Sequence, residues 1–134
     1  MNNTILIFVF IYLFVDIFYL YISNDYYNSK VKKIQGKPIT LNTYKYISAF
    51  ICYLILGIVW YYLIGTYITK EKTLIEVLQR ALLIALAIHG VINTYLFFMF
   101  DNWDIYITIR DILWGVFWIS LSAVLYYSYI KLKK

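Results

Sequence analysis

The sequence has few of the residues that metal, redox and disulfide sites require. Its 134 residues include one cysteine, Cys52, and one histidine, His89. A single cysteine cannot form an intrachain disulfide, so the redox environment stays open. A zinc site of ordinary ligand count needs more such side chains than the chain offers, and no nucleophile elbow or phosphate loop is present. We therefore expect no metal ion and no cofactor.

Charged residues are also scarce, at 14% of the chain, whereas 63% of the residues are hydrophobic and the mean hydropathy is +0.72. These values lie outside the range of soluble globular domains and predict an integral membrane protein. The net charge of +5 comes from lysines in loops and at the C-terminus, which suits anionic lipid headgroups. Membrane lipids are the expected partners. Nucleic acid is not, because no basic stripe with interleaved aromatic residues is present.

Four apolar runs alternate with polar stretches, and each run is long enough to cross a hydrocarbon core of about 30 Å as a helix. The first run has no Lys or Arg before it and no small-residue cleavage site after it, so we predict a retained helix and not a signal peptide. We predict an all-α polytopic membrane protein, a single domain over residues 1–134 that forms a four-helix antiparallel transmembrane bundle. The predicted helices cover residues 4–22, 46–68, 76–100 and 106–130.

The longest predicted loop joins the first two helices. It runs from Ser23 to Thr43, carries four lysines and contains the only proline, Pro38. Gly36 and Pro38 predict a turn within it. We expect its lysines to lie at a headgroup surface. The C-terminal lysines Lys131 and Lys134 are expected to anchor the fourth helix in the same way.

Polar residues interrupt three of the predicted helices at similar depths. They are Asp16 in the first helix, His89 and Asn93 in the third, and Arg110 and Asp111 in the fourth. Counted from the adjacent loops, all of them fall in one leaflet. An ionisable residue inside a span costs roughly 2.5 to 3.5 kcal/mol on insertion scales and normally faces the bundle interior or a wet cavity. We therefore predict that these five side chains form an inward-facing polar cluster that binds a ligand.

Two arrangements of this cluster remain open. In the first, Asp111 contacts His89, Asn93 or a residue of the first helix, and Arg110 completes the network or reaches the interface. In the second, the pairing of Asp111 with Arg110 or with His89 only fixes helix packing.

Aromatic and glycine residues surround the cluster. We expect Trp103 and Trp114 to serve packing and interfacial roles. Gly57 and Gly115 are predicted at close helix contacts, because glycine lets helix backbones approach one another in lipid.

Short motifs along the chain form a recognisable set. They are Asp16 with Tyr19-Leu20, Gln35-Gly36-Lys37-Pro38, Cys52-Tyr53, His89-Gly90-Val91-Ile92-Asn93, Asn102-Trp103 and Asp111-Ile112-Leu113-Trp114-Gly115. Over nearly the entire chain, this set resembles a family of small predicted membrane proteins catalogued as domain of unknown function 2177. The resemblance implies the four-helix membrane architecture and supports the chosen residues, but it implies no reaction. Members occur in bacteria and large DNA viruses, so the implied location is a multi-pass membrane position, in a host or virion membrane if the source is viral.

Three classes of function follow from these observations. The first is binding or transport of a small polar solute, an ion or a lipid headgroup by the cluster, with a homo-oligomer as one expected form because four helices enclose little space. The second is a structural or assembly protein of the membrane without a ligand. The third is a lipid-modifying enzyme in which Asp111 or Asp16 acts as general base and His89 as acid. We rank binding or transport first and the enzyme last.

Overall fold

Four long helices make up most of the chain. The computed structural model describes residues 3–133, so Lys134 of the predicted C-terminal anchor lies outside the described residues. The helices are α1 (Asn3–Gln35), α2 (Thr43–Gly65), α3 (Leu74–Met99) and α4 (Ile105–Leu132). All four are long and apolar enough to cross a membrane, and residues 3–133 contain no strand. The predicted all-α, four-helix membrane fold is confirmed.

The first helix is much longer than predicted. It ends at Gln35 and not at Ile22, so residues 23–35, which we predicted to be loop, are helical. This stretch contains no Pro or Gly, and two lysines in its last turn complement the helix dipole. Gly36 then ends the helix with a φ of 76°, and its amide donates to the carbonyl of Lys32 at 3.0 Å. A helix of 33 residues is about 50 Å long, so the last turns of α1 extend beyond the hydrocarbon core.

Side-chain caps fix the starts of the other helices. Oxygen atoms of Asn42, Thr73 and Asp104 accept hydrogen bonds from backbone amides of the following turn at 3.0, 3.3 and 2.8 Å, respectively. Such caps satisfy amides that have no partner inside the helix. The three helices therefore begin one to three residues earlier than the apolar runs indicated.

Two of the helices contain a turn with wider, π-helical spacing. The turns are Trp60–Gly65 at the end of α2 and Leu86–Gly90 in the middle of α3. In α2, the amide of Thr66 donates to the carbonyl of Tyr61, five residues back, at 3.0 Å. Turns of this kind occur often at functional sites. The one in α3 contains His89, so the direction of that side chain depends on it.

The tightest packing lies in the half of the bundle away from the predicted cluster. The side chains of Tyr12, Trp60 and Tyr126 are no more than 2% exposed there. The indole of Trp60 donates to the hydroxyl of Ser122 at 2.9 Å, and the indole of Trp118 donates to the carbonyl of Tyr12 at 2.9 Å. Packed side chains thus fill the interior of this half of the bundle.

The outer surfaces of the helices are apolar. Large hydrophobic side chains such as Phe14, Phe50 and Leu83 are 71%, 69% and 67% exposed. In water such a surface would aggregate, whereas in a bilayer it is solvated by acyl chains. The burial pattern therefore agrees with a multi-pass membrane protein.

Candidate functional site

Asp16 faces the interior of the bundle. It is 8% exposed on α1, and its carboxylate accepts a hydrogen bond of 2.9 Å from the indole of Trp114 on α4. The Trp114 ring stacks on Tyr19 with 4.0 Å between ring centroids and 9° between planes. Trp114 therefore joins α4 to two positions of α1 that lie one turn apart, and it fixes the orientation of the Asp16 carboxylate.

Asp111 also turns toward α1. It is half-buried on α4, and its carboxylate accepts a hydrogen bond from the hydroxyl of Tyr27. Tyr27 lies on the part of α1 that continues past the predicted end of the first helix. The continuation of α1 thus supplies the partner of this carboxylate.

Arg110 lies within electrostatic reach of Asp111, but its hydrogen bond goes to α1. Its guanidinium donates to the hydroxyl of the buried Ser23 at 2.7 Å. It also lies over the rings of Tyr19, Tyr26 and Tyr27, at 5.3, 4.7 and 5.9 Å from their centroids. Such cation–π contacts stabilise an arginine that has left bulk water. Within residues 3–133 Arg110 makes no direct ion pair with Asp111.

His89 and Asn93 come from α3, on the other side of the same space. The side-chain amide of the buried Asn93 donates to the backbone carbonyl of His89 at 2.9 Å, one turn back along α3. The imidazole of His89 lies within electrostatic reach of both Asp16 and Asp111. It packs directly on Gly115 of α4, where an added Cβ atom would overlap the ring.

These groups line one cavity. Its volume is about 430 Å³, and all four helices contribute to it. Its ionisable and polar side chains include Asp16, Asp111, His89 and Asn93, together with the hydroxyls of Tyr19, Tyr27 and Tyr53. Trp114 and Cys52 also line it, whereas no Lys or Arg of residues 3–133 does. The volume lies in the usual range for small-molecule sites.

Two of the lining hydroxyls are buried without a satisfied hydrogen bond. The Tyr19 and Tyr53 hydroxyls have no hydrogen bond of normal geometry to any described residue. Tyr53 nevertheless lies within electrostatic reach of Asp16, and Tyr19 within reach of Tyr27. A ligand in the cavity would therefore meet oriented donors and acceptors on several of its sides.

An ion pair joins the continuation of α1 to the start of α4. Lys30, on the continuation of α1, pairs with Asp104, the capping residue of α4. The hydrogen bond to Lys30 and then the amide of Tyr106 hold the pKa of Asp104 below its usual value. The pair lies outside the apolar spans and ties the last turns of α1 to the start of α4.

Some predicted residues lie elsewhere. The structure brings Asp16, His89, Asn93 and Asp111 to the cavity but leaves Arg110 beside it, against Ser23. Trp103 is in the connection between α3 and α4, where its ring packs on Phe100 at 6.1 Å and does not reach the cavity.

Tyr27, Tyr53 and Cys52 were not among the predicted site residues. A signal for Tyr27 was present, because it follows Asp16 by eleven residues and thus lies within about 20° of it around a helix. Because we predicted a loop from Ser23 onward, this helical spacing was not recognised. Cys52 and Tyr53 form one of the motifs that carry the family resemblance, but their residue types alone do not separate them from the other apolar and aromatic positions of α2.

The cavity lining presents carboxylates, hydroxyl-bearing residues and aromatic rings. Among residues 3–133 no group of three or more His, Cys, Asp or Glu side chains is placed to hold a metal ion. The cavity instead offers two carboxylates, neutral hydroxyls and aromatic faces. Those are groups that bind cations and hydrogen-bond donors.

Comparison with known proteins identifies one family. The family described as "Predicted membrane protein (DUF2177)" matches residues 2–128. No curated protein and no solved structure matches the chain.

Proposed function

The chain belongs to this family of predicted membrane proteins, and we propose that it binds a small polar group, carried by a solute or by a lipid headgroup, in the cavity between its helices. The observation that carries the proposal is that Asp16 from α1 and Asp111 from α4 line one cavity, and that no Lys or Arg of residues 3–133 lines it. Two like charges facing the same low-dielectric space repel each other. A bound cation or hydrogen-bond donor would remove that repulsion.

The unsatisfied hydroxyls support the same conclusion. Leaving a buried hydroxyl without a partner costs about 1–3 kcal/mol. Tyr19 and Tyr53 both incur this cost at the cavity, on opposite helices. A ligand that hydrogen-bonds to them would recover it.

A purely structural role is the second candidate. It is favoured by the hydrogen bonds that Asp16 and Asp111 each accept from a neighbouring helix. Under this role Asp111→Asn destabilises the protein, and its combination with Tyr27→Phe shows a non-additive loss of about 0.5–3 kcal/mol. The cavity would then have no reason to admit water or charged solutes.

Cys52 provides a direct test, because it is the only cysteine and it lines the cavity. The purified protein in lipid nanodiscs is treated with methanethiosulfonate reagents of similar size, one bearing an ethylammonium group and the other an ethylsulfonate group. We expect Cys52 to react with the cationic reagent at least about tenfold faster, because a cavity lined by charges of one sign concentrates counter-ions. The rate of thiol modification is read by mass spectrometry.

Variants of single carboxylates test whether the preference for the cationic reagent arises in the cavity or elsewhere on the surface. Asp16→Asn and Asp111→Asn should each reduce the preference for the cationic reagent. Asp25→Asn removes an exposed carboxylate of α1 and should leave it unchanged. If Cys52 reacts with neither reagent, or with both equally in the wild type, the binding proposal is wrong and the structural role is favoured.

A further inference from the structure

We infer that the ligand is a single-chain amphiphile with a cationic amine head, whose head lies in the cavity and whose chain lies in a groove between α1 and α2. This inference rests on the binding function proposed above and names the class of molecule bound. It comes from the way the polar cavity adjoins an apolar space.

The apolar space is a groove of about 420 Å³ between α1 and α2. Tyr53 lines both the cavity and the groove, so the two spaces are neighbours at this side chain. Apart from Tyr53, Gly57, Tyr61 and Tyr62, the groove is lined by aliphatic residues and one phenylalanine; they are Leu6, Val9, Phe10, Leu13, Leu54 and Ile58. A polar solute would gain nothing from this groove, whereas a hydrocarbon chain fits its chemistry.

The direction and length of the groove also fit a lipid chain. On α1, the lining residues of the groove extend from Leu13 back to Leu6. They lead away from Asp16 and toward the tightly packed half of the bundle. From Asp16 to Leu6 is about 15 Å along a helix, at 1.5 Å per residue. A chain of about this length would therefore extend from a head beside Asp16 along α1 to Leu6.

Gly57 makes the groove possible. A Cβ atom added there would meet side-chain atoms of Val9 and Leu13, each at 3.3 Å. The absence of a side chain at this position lets α2 approach α1 closely, so a shallow groove remains where a larger residue would fill the space.

The charge of the cavity selects the head. Asp16 and Asp111 are the two carboxylates that line it, and the one cation nearby, Arg110, is engaged by Ser23 and lies outside the lining. A phosphate or sulfate head would therefore face two carboxylates without a cation lining the cavity. An ammonium head would donate to those carboxylates and lie against aromatic faces such as that of Trp114.

The buried hydroxyl of Tyr19 is the independent indication of a ligand. Tyr19 is 9% exposed, lines the cavity, and its hydroxyl has no hydrogen bond of normal geometry to any described residue. An ammonium group supplies up to three donors, enough to reach this hydroxyl as well as the carboxylates.

Protection of Cys52 tests the inference. The rate of its modification by a small neutral methanethiosulfonate is measured in nanodiscs with increasing dodecylamine, dodecanol, dodecyl phosphate or butylamine. We expect dodecylamine to protect Cys52 at concentrations at least tenfold lower than each of the other three. A neutral reagent is used because a membrane-bound amine would repel a cationic one.

Matched variants locate the head and the chain separately. Asp111→Asn should abolish protection by dodecylamine, whereas Asp25→Asn should not. Ile58→Trp fills the groove and should weaken protection at least tenfold; Ile55→Trp, at an equally exposed position of α2 outside the groove, should leave it unchanged. Each variant is first shown to keep the wild-type melting temperature and elution volume, and Leu54→Trp replaces Ile58→Trp if the latter does not fold.

The outcomes distinguish this inference from the proposed function. Equal protection by dodecanol or dodecyl phosphate would overturn the inference that the head of the ligand is cationic. Equal protection by butylamine, or equal effects of Ile58→Trp and Ile55→Trp, would overturn the chain. In each case charge-selective modification of Cys52 would still support binding in the cavity, whereas an unreactive Cys52 would overturn the proposed function itself.

Discussion

At the scale of single residues, the two carboxylates are held by neutral donors. Asp16 accepts from the indole of Trp114, and Asp111 accepts from the hydroxyl of Tyr27. A neutral donor orients a carboxylate without cancelling its charge, whereas an ion pair with Arg110 would have neutralised it. Among residues 3–133 neither carboxylate forms an ion pair, so each is oriented by a neutral donor on a neighbouring helix.

Gly115 is the position where a small change should have a large effect. Gly115→Ala would place a Cβ atom inside the ring of His89, so the ring or α3 must move. Overpacking of this kind typically costs about 1–3 kcal/mol. We expect a lower melting temperature in detergent, measured by the loss of monodisperse protein after heating.

Gly90→Ala is the matched control. A Cβ atom there would meet only side-chain atoms of Leu86 at 3.8 Å, an ordinary contact distance. Gly90→Ala should therefore leave the melting temperature unchanged or raise it slightly, since alanine favours the helix. Equal destabilisation by the two substitutions would show that the Gly115–His89 contact is not the cause.

The sequence was informative about residues whose chemistry is unusual in a membrane. Asp16, His89, Asn93 and Asp111 stand out because polar groups are costly in lipid, and depth counting brought them together. Tyr27 and Tyr53 do not stand out, because tyrosine is common at membrane interfaces. Only tertiary contacts show which tyrosines line the cavity and which lie at an interface.

At the scale of helices, the continuation of α1 past Ile22, residues 23–35, provides partners for two side chains of α4. It carries Tyr27 to Asp111 and Ser23 to Arg110, and the ion pair of Lys30 with Asp104 fastens its last turns to α4. Without this continuation, neither charged residue of α4 would keep its partner on α1.

This ion pair should make the continuation sensitive to acid. The pKa of Asp104 is lowered in the folded protein, so the stabilisation is complete above the ordinary aspartate pKa of about 3.9 and is lost as the pH falls through the folded value. Spin labels at Ser29 and Asp101, introduced as cysteines in a Cys52→Ser background, report the distance between α1 and the start of α4. We expect a narrow distance distribution at pH 7 and a broad one at pH 3.

Asp104→Asn removes the charge of this side chain but keeps its role as helix cap. Asparagine is as good a helix N-cap as aspartate, so α4 should still begin at the same residue. The variant should show at pH 7 the broad distribution that the wild type shows at pH 3. A wild-type distribution that stays narrow at pH 3 would show that other contacts hold the continuation in place.

The four helices could be predicted from the sequence, but the end of α1 and the π-helical turns could not. Hydrophobic runs locate spans, yet a polar helical extension such as residues 23–35 has no apolar run to reveal it. The π-helical turns at Trp60–Gly65 and Leu86–Gly90 depend on packing between helices, and no local propensity encodes them.

At the scale of the whole molecule, four spans require both ends of the chain on one side of the membrane. Epitope tags added at each end should be cleaved together, or protected together, when sealed vesicles are treated with protease, and both should be cleaved after detergent is added. One cleaved and one protected tag in sealed vesicles would refute four crossings. The even number of spanning helices is the physical reason for this expectation.

The filled half of the bundle and the half that holds the cavity differ in how firmly the helices are joined. In the filled half, the indole of Trp60 on α2 bonds to Ser122 on α4, and the indole of Trp118 on α4 bonds to the carbonyl of Tyr12 on α1. In the other half the helices are separated by the cavity. Local opening of the bundle is therefore expected to begin in the half that holds the cavity.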